Sequence, residues 1–211
     1  MPSKKSSEFL ARVYQAGTTD ELEQVYNQWC EGYDEDVTGL GYNSPAVAAG
    51  LFARYVQPSS GPFLDAGAGT GLMGAVLKAM GYEGLVGIDL SPGMLKMAGK
   101  RRVYQELHRM VLGEHLDFTD DYFEACQSVG VFTSGHAPAS GFDEIIRVVK
   151  PGGYVIFSLL ADVYENGGFK EKLEALSAER KWTRVEMSGA FSCLPHEDPA
   201  IKQYIFAYRV L

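Results

Sequence analysis

Asp65-Ala66-Gly67-Ala68-Gly69-Thr70-Gly71 sets a carboxylate ahead of three glycines at alternate positions. Glycine is what a chain needs where it must bend sharply and let a ligand approach its backbone. Phe63 and Leu64 precede the motif, while Leu72, Met73, Val76, Leu77 and Met80 follow at helical spacing, with Gly81 at the stop. The reading is strand, tight turn, helix. Free N–H groups at such a helix start receive nucleotide-like ligands. Gly69-Thr70-Gly71-Leu72-Met73-Gly74 also fits the dinucleotide pattern G-x-G-x-x-G. Asp65 beside the turn would repel a pyrophosphate, however, and suits a ligand that presents an ammonium group.

A second carboxylate follows. Gly84-Leu85-Val86-Gly87-Ile88-Asp89 reads as a short buried strand ending on an acid, and Asp89 lies 18 residues past Gly71, room for one helix and one turn. An acid at that strand tip accepts bonds from both hydroxyls of a ribose; otherwise it is a solvated strand end. Ser91-Pro92 supplies an N-cap and a proline at the first helical position, and Met94 sits in the first turn, where it can lie against a flat base. A third signature, Lys150-Pro151-Gly152-Gly153, ends one helix and turns the chain into the strand Tyr154–Leu160.

These three signatures, in this order, resemble the class I S-adenosylmethionine-dependent methyltransferases. The segments Trp29–Tyr42, Leu107–Gly113 and Ser128–His136 are similar, more narrowly, to the methyltransferase-like protein 27 group of the Williams–Beuren region, over about Gln24 to Leu211. The resemblance implies S-adenosyl-L-methionine as cofactor. Gly67, Ala68, Gly69, Thr70 and Gly71 would line its methionine and ribose portion, with Asp65 supporting the turn near the amino group. Asp89 would hold the ribose, Leu90 and Met94 would face the adenine, and Val129 at the tip of the fourth strand would run under the methionine. Where many relatives place an Asp for the adenine amino group, this chain has Met110 or Val111; their backbone groups, or Glu114, would have to serve.

A sulfonium methyl is transferred by in-line displacement, so such a protein contributes chiefly position and desolvation, with a base where the acceptor keeps its proton. His136 follows the fourth strand at the carboxyl edge and is either that base or an acceptor contact, or else a loop histidine bonded to backbone. Tyr33 closes over the cofactor or packs in the core. Three functions compete: a methyltransferase for a small-molecule acceptor, a protein or RNA methyltransferase, and a cofactor-binding module without catalysis; a nicotinamide dehydrogenase is a distant fourth. No Asn/Asp-Pro-Pro-Tyr/Phe tetrad follows the fourth strand.

The elements that must position these residues are legible. Strands alternate with helices, near 62–66, 71–80, 84–89, 92–102, 107–112, 123–131, 139–149, 153–160 and 168–180, then strands 182–189 and 203–210. Such alternation makes a Rossmann-like α/β sheet of about seven strands, mostly parallel, with helices on both faces and an antiparallel last strand. Two helices precede it: one capped by Thr18 with Leu22, Val25, Tyr26 and Trp29 on its apolar face, and one opened by Ser44-Pro45. The 211 residues are expected to form one domain, with 1–58 a helical lid and 59–211 the core. A net charge of −8 excludes a nucleic-acid footprint, and the cluster Lys96, Lys100, Arg101, Arg102 and Arg109 reads as a solvated face balanced by Asp117, Asp120, Asp121 and Glu124. No membrane span or metal site is expected, and three scattered cysteines suit a reduced, cytoplasmic protein.

Overall fold

The computed structural model describes residues 4–133 and 136–211. Ser134 and Gly135, which belong to one of the segments that carry the narrower resemblance, lie outside the described residues.

Among the described residues four helices precede the sheet, where the sequence predicts two: α1 (Lys4–Gln15), α2 (Thr19–Trp29), α3 (Tyr33–Gly39) and α4 (Ser44–Tyr55). At seven residues α3 is too short to show a period, although Asp34, Glu35 and Asp36 in its first turn favour a helix start. The capping box of α2 forms: Glu21 N–H donates to Thr18 Oγ1 at 3.2 Å, and the Glu21 carboxylate takes the Gly17 N–H at 2.8 Å.

The sheet contains β1 (Phe63–Ala66), β2 (Leu85–Asp89), β3 (Glu106–Arg109), β4 (Phe123–Phe132), β5 (Val149–Leu160), β6 (Trp182–Met187), β7 (Phe191–Ser192) and β8 (Lys202–Val210). Its order is β3-β2-β1-β4-β5-β8-β6, with the short β7 beside β8. The first five strands are parallel, and β8 runs antiparallel between β5 and β6. The connecting helices are α5 (Leu72–Ala79), α6 (Pro92–Arg101), α7 (Gly141–Val148), α8 (Ala161–Asn166) and α9 (Phe169–Ala178). The chain runs outward from β1 to β3 and then returns to β4 on the other side of β1. The carboxyl ends of β1 and β4 therefore form the switch point where such sheets leave a crevice.

Both sheet faces are packed. Phe132, Phe142, Phe157, Trp182, Phe206 and Tyr208 fill one, so the alternation Phe206, Tyr208, Val210 points into a single core. Phe52, Phe63, Leu77, Tyr82, Ile156 and Ile205 fill the other. Because α4 supplies Ala48, Ala49 and Phe52 to that second face, it is a sheet-covering helix, whereas α1–α3 form a separate cluster around Val13, Leu22, Val25, Trp29 and Val37.

Other elements depart from the sequence reading. β3 stops at Arg109, three residues early, because Met110–Leu112 leave the ladder to line a cleft. Helix α7 ends at Val148; Val149 already pairs with Phe123, and Lys150-Pro151-Gly152-Gly153 is absorbed as an irregularity within β5. The basic cluster is neutralised differently as well. Arg101 pairs with Asp34 and Arg109 with Glu23, both on the N-terminal helices, while Asp120 pairs with Arg147 and Glu124 with Lys150.

Candidate functional site

The turn after β1 is pinned by backbone bonds. Gly67 and Ala68 N–H both donate to Ile88 C=O at 2.8 Å, and Gly69 N–H donates to Asp89 Oδ2 at 2.8 Å. Asp89 Oδ1 takes the Ser91 N–H at 2.9 Å, so one carboxylate joins the glycine turn to the start of α6. The carboxylate also lines the cleft, and a carboxylate has room for more than these two bonds. The glycines have different duties. At Gly67, φ is +85° and a Cβ would stand 2.2 Å from Val131 Cγ2, so the fold itself forbids a side chain there. At Gly69, φ is +54° and a Cβ would meet nothing within 4 Å, which leaves the backbone open to a ligand. Gly71 has another duty: its φ of +86° starts α5, with Arg101 and Tyr104 packed close.

Three cavities meet at the switch point. The largest, about 820 Å³ and open at one side, is lined by Gly67, Gly69, Asp89, Leu90, Met94, Met110, Val111, Val129 and His136. A second, of about 570 Å³, lies beneath α1–α3 and shares Tyr26, Tyr33, Gly130 and His136 with the first. A third, of about 360 Å³, is lined by Asp65, Gly67, Ala68, Gly69, Thr70, Gln127 and Val129. Tyr33 borders all three. The expected site residues thus converge, apart from Gly71, and Glu114 is exposed and absent from the cleft wall.

Asp65 is 1% exposed. Tyr104 Oη donates to its Oδ2 at 2.6 Å and Gln127 Nε2 to its Oδ1, so neutral donors occupy it from behind the turn. Burial pushes its carboxyl up to about 7 against the Tyr104 hydrogen bond, and burial pushes Asp89 up to about 6 against its backbone bonds. The Thr70 hydroxyl turns from the cavities to donate to Asp34, and Arg101 ties the same carboxylate to the Thr70 carbonyl. Asn27 on α2 accepts from Ser91 Oγ and Gly93 N–H, both at 2.8 Å. The N-terminal helices are latched to both ligand loops.

His136 lies between two hydroxyls: Tyr26 Oη is 2.9 Å from Nε2, and Thr133 Oγ1 is 2.6 Å from Nδ1. With Nδ1–H donating to Thr133, the Nε2 lone pair accepts from Tyr26. Burial, with the nearby Asp89, raises the Tyr33 hydroxyl above its ordinary range, so it stays protonated.

Sequence reasoning missed Gln127, Asp34 and Asn27. Gln127 had a signal, a polar residue within the apolar run Phe123–Phe132; the others act from a distant part of the chain and had none.

The donor set fits the expected cofactor. Among the described residues no Lys or Arg lines any of the three cavities, which disfavours a dinucleotide's phosphates. Leu90, Met94, Met110 and Val111 offer an apolar slot for a flat base beside the Asp89 acceptor. Gln127, whose Oε1 is buried with no partner among the described residues, borders the third cavity, where an ammonium group could satisfy it.

Comparison with known proteins agrees with this chemistry. A family profile described as "Methyltransferase domain" matches residues 64–157. The chain is 37% identical to human methyltransferase-like protein 27 over 174 residues, 80% of this chain and 70% of that protein. It is 30% identical over 139 residues to a demethylmenaquinone methyltransferase of Clavibacter sepedonicus, 64% of this chain and 56% of that one. Among solved structures, an S-adenosylmethionine-dependent methyltransferase of Thermotoga maritima, described as a possible histamine N-methyltransferase, superposes with a TM-score of 0.65 at 17% identity. That match covers 89% of this chain and 98% of that one, and at such identity it speaks for the fold alone.

Proposed function

The chain belongs to the S-adenosylmethionine-dependent methyltransferases, and from that premise we propose that it methylates a small molecule held in the cavity beneath α1–α3. One observation carries the reading: a concave, aromatic-lined cavity adjoins the cofactor cleft through Tyr26, Tyr33, Gly130 and His136. A concave pocket walled by aromatic side chains suits a small ligand, whereas a protein segment needs an extended groove and RNA a basic surface. The net charge of −8 offers none. The demethylmenaquinone methyltransferase among the relatives has a small-molecule acceptor in its name. Three buried free cysteines support a reducing compartment such as the cytoplasm, and among the described residues no helix is long and apolar enough to cross a membrane.

In this reading Asp89 accepts from the ribose hydroxyls, and Leu90, Met94, Met110 and Val111 hold the adenine. Asp65, Gln127, Gly67, Ala68, Gly69, Thr70 and Val129 surround the methionine end. The cofactor supplies an electrophilic methyl group on a positively charged sulfur. The chain's part is to aim that end at the second cavity, to exclude water with the aromatic roof, and to accept a proton from the acceptor at His136. Tyr33 stands at the junction, where its ring face and hydroxyl border the transfer point. Calorimetry tests the first half: S-adenosylhomocysteine should bind and NAD should not. Methyl transfer from labelled S-adenosylmethionine to a small-molecule panel tests the second, and transfer only to proteins or RNA would overturn it.

A further inference from the structure

The chemistry of the second cavity narrows the acceptor. Among the described residues its wall includes no Lys, Arg, Asp or Glu. A carboxylate, a phosphate or a protonated amine seated there would lose its water and find no counter-charge. Flat surfaces dominate instead. Trp29 stacks on Tyr26 at 6.4 Å between centroids and meets Tyr33 edge-on at 4.8 Å. Tyr14, Tyr26, Tyr33 and Tyr42 add hydroxyls to the wall, and Thr133, His136 and Gln203 are its other uncharged polar side chains. Tyr26 and His136 face both this cavity and the cofactor cleft, and His136 is bonded onward to Thr133.

We infer that the second cavity binds an uncharged, planar aromatic acceptor bearing a hydroxyl group, and that this hydroxyl loses its proton through Tyr26 to His136. The inference rests on the cofactor placement proposed above. The acceptor O–H bond breaks as its proton passes to Tyr26 Oη, while the Tyr26 proton moves to His136 Nε2. The electron pair left on the acceptor oxygen forms the bond to the methyl group, whose former bonding pair stays on the donor sulfur. The imidazolium that results donates from Nδ1 to Thr133. Tyr26 is a relay and not a resident base, because its burial keeps it protonated.

The test uses the whole chain with S-adenosylhomocysteine, whose own binding is measured first. Titrations then compare 2-naphthol with 2-naphthoate, and follow the phenolate absorbance of bound 4-nitrophenol against pH. Naphthol should bind at least about tenfold more tightly than naphthoate. Val37 and Leu194 line the second cavity alone, so Val37→Trp or Leu194→Trp should weaken naphthol at least about tenfold and leave S-adenosylhomocysteine within about threefold. Tyr26→Phe and His136→Gln should each move the bound nitrophenol's titration upward by about one pH unit, and lower kcat for naphthol methylation by about 10²-fold or more with little change in KM. Equal binding of naphthoate, an unmoved nitrophenol titration in both variants, or methylation at a ring carbon would overturn the inference. If S-adenosylhomocysteine itself fails to bind, the cofactor placement falls instead, which the first titration separates from the rest.

Discussion

Replacing Asp89 with Ala separates the two duties that the structure gives this side chain. Its carboxylate accepts Gly69 N–H at 2.8 Å and Ser91 N–H at 2.9 Å, and in the proposed complex it also accepts the ribose hydroxyls. A hydrogen bond to a charged group contributes about 1.5–3 kcal/mol. Two such bonds to backbone would sum to about 3–6 kcal/mol, but Asp89 itself lines the cleft, so the space its carboxylate vacates admits water to both donors. The charge also carries a burial cost in the ligand-free protein, visible in a carboxyl raised to about 6, and the variant is relieved of that cost. The net loss of stability should therefore be about 1–2 kcal/mol, a fall in Tm of about 2–8 °C for a chain of this size. Cofactor affinity has no such offset. Losing one or two ribose bonds at about 1.5–3 kcal/mol each lowers it at least about tenfold, and about a hundredfold at the centre of that range. A thermal melt and calorimetry with S-adenosylhomocysteine measure both. A folded Asp89→Ala protein with unchanged affinity would remove Asp89 from the site; unchanged affinity with a lowered Tm would leave it only the role of tying the glycine turn to α6.

The two glycines should respond differently: Gly69→Ala costs about 1–2 kcal/mol of left-handed backbone strain and weakens S-adenosylhomocysteine markedly, while Gly67→Ala adds to the same strain a methyl driven into Val131 and lowers Tm further. Equal melts for the two variants would contradict this. Asp65 and Asp89 titrate in the folded protein near 7 and 6, above the ordinary carboxylate value near 4. The folded state thus holds protons that the unfolded chain has released, so their contribution to ligand-free stability falls as pH rises from about 4 to about 7. A ligand bringing an ammonium group and hydroxyl donors favours the ionised forms, so the rise in Tm on adding S-adenosylhomocysteine should grow between pH 5 and pH 8; a rise that does not vary with pH would refute the linkage. Finally, α2 and α3 cover the cavities and are held by the Asp34, Asn27 and Glu23 latches, and we expect Thr18–Ser44 to loosen in the free protein and tighten on the bound cofactor. Hydrogen exchange there should slow when S-adenosylhomocysteine is added, and Asn27→Ala should speed it in the free protein; identical protection in all three states would make these helices fixed scaffold.

The sequence by itself determined the α/β order, the glycine turn and the two strand-end carboxylates, because each is a local matter. A left-handed turn demands glycine within a few residues, a strand and its helix declare themselves by period, and one βα unit sets the distance from Gly71 to Asp89. It also determined the direction of β8, since a strand that returns without a helix must run antiparallel. What it left open was anything joined across long separations. The roof depends on Asp34 reaching Thr70 and Arg101, and on Asn27 reaching Ser91 and Gly93; such pairings leave no periodic trace. Helix α3 was invisible because seven residues fall below one reliable period, and Lys150–Gly153 read as a free turn because nothing local shows that Val149 pairs with Phe123. Likewise, His136 could be named as a base from its place after β4. Only the packing of α2 over the carboxyl edge set Tyr26 against its Nε2, and so joined the second cavity to that imidazole.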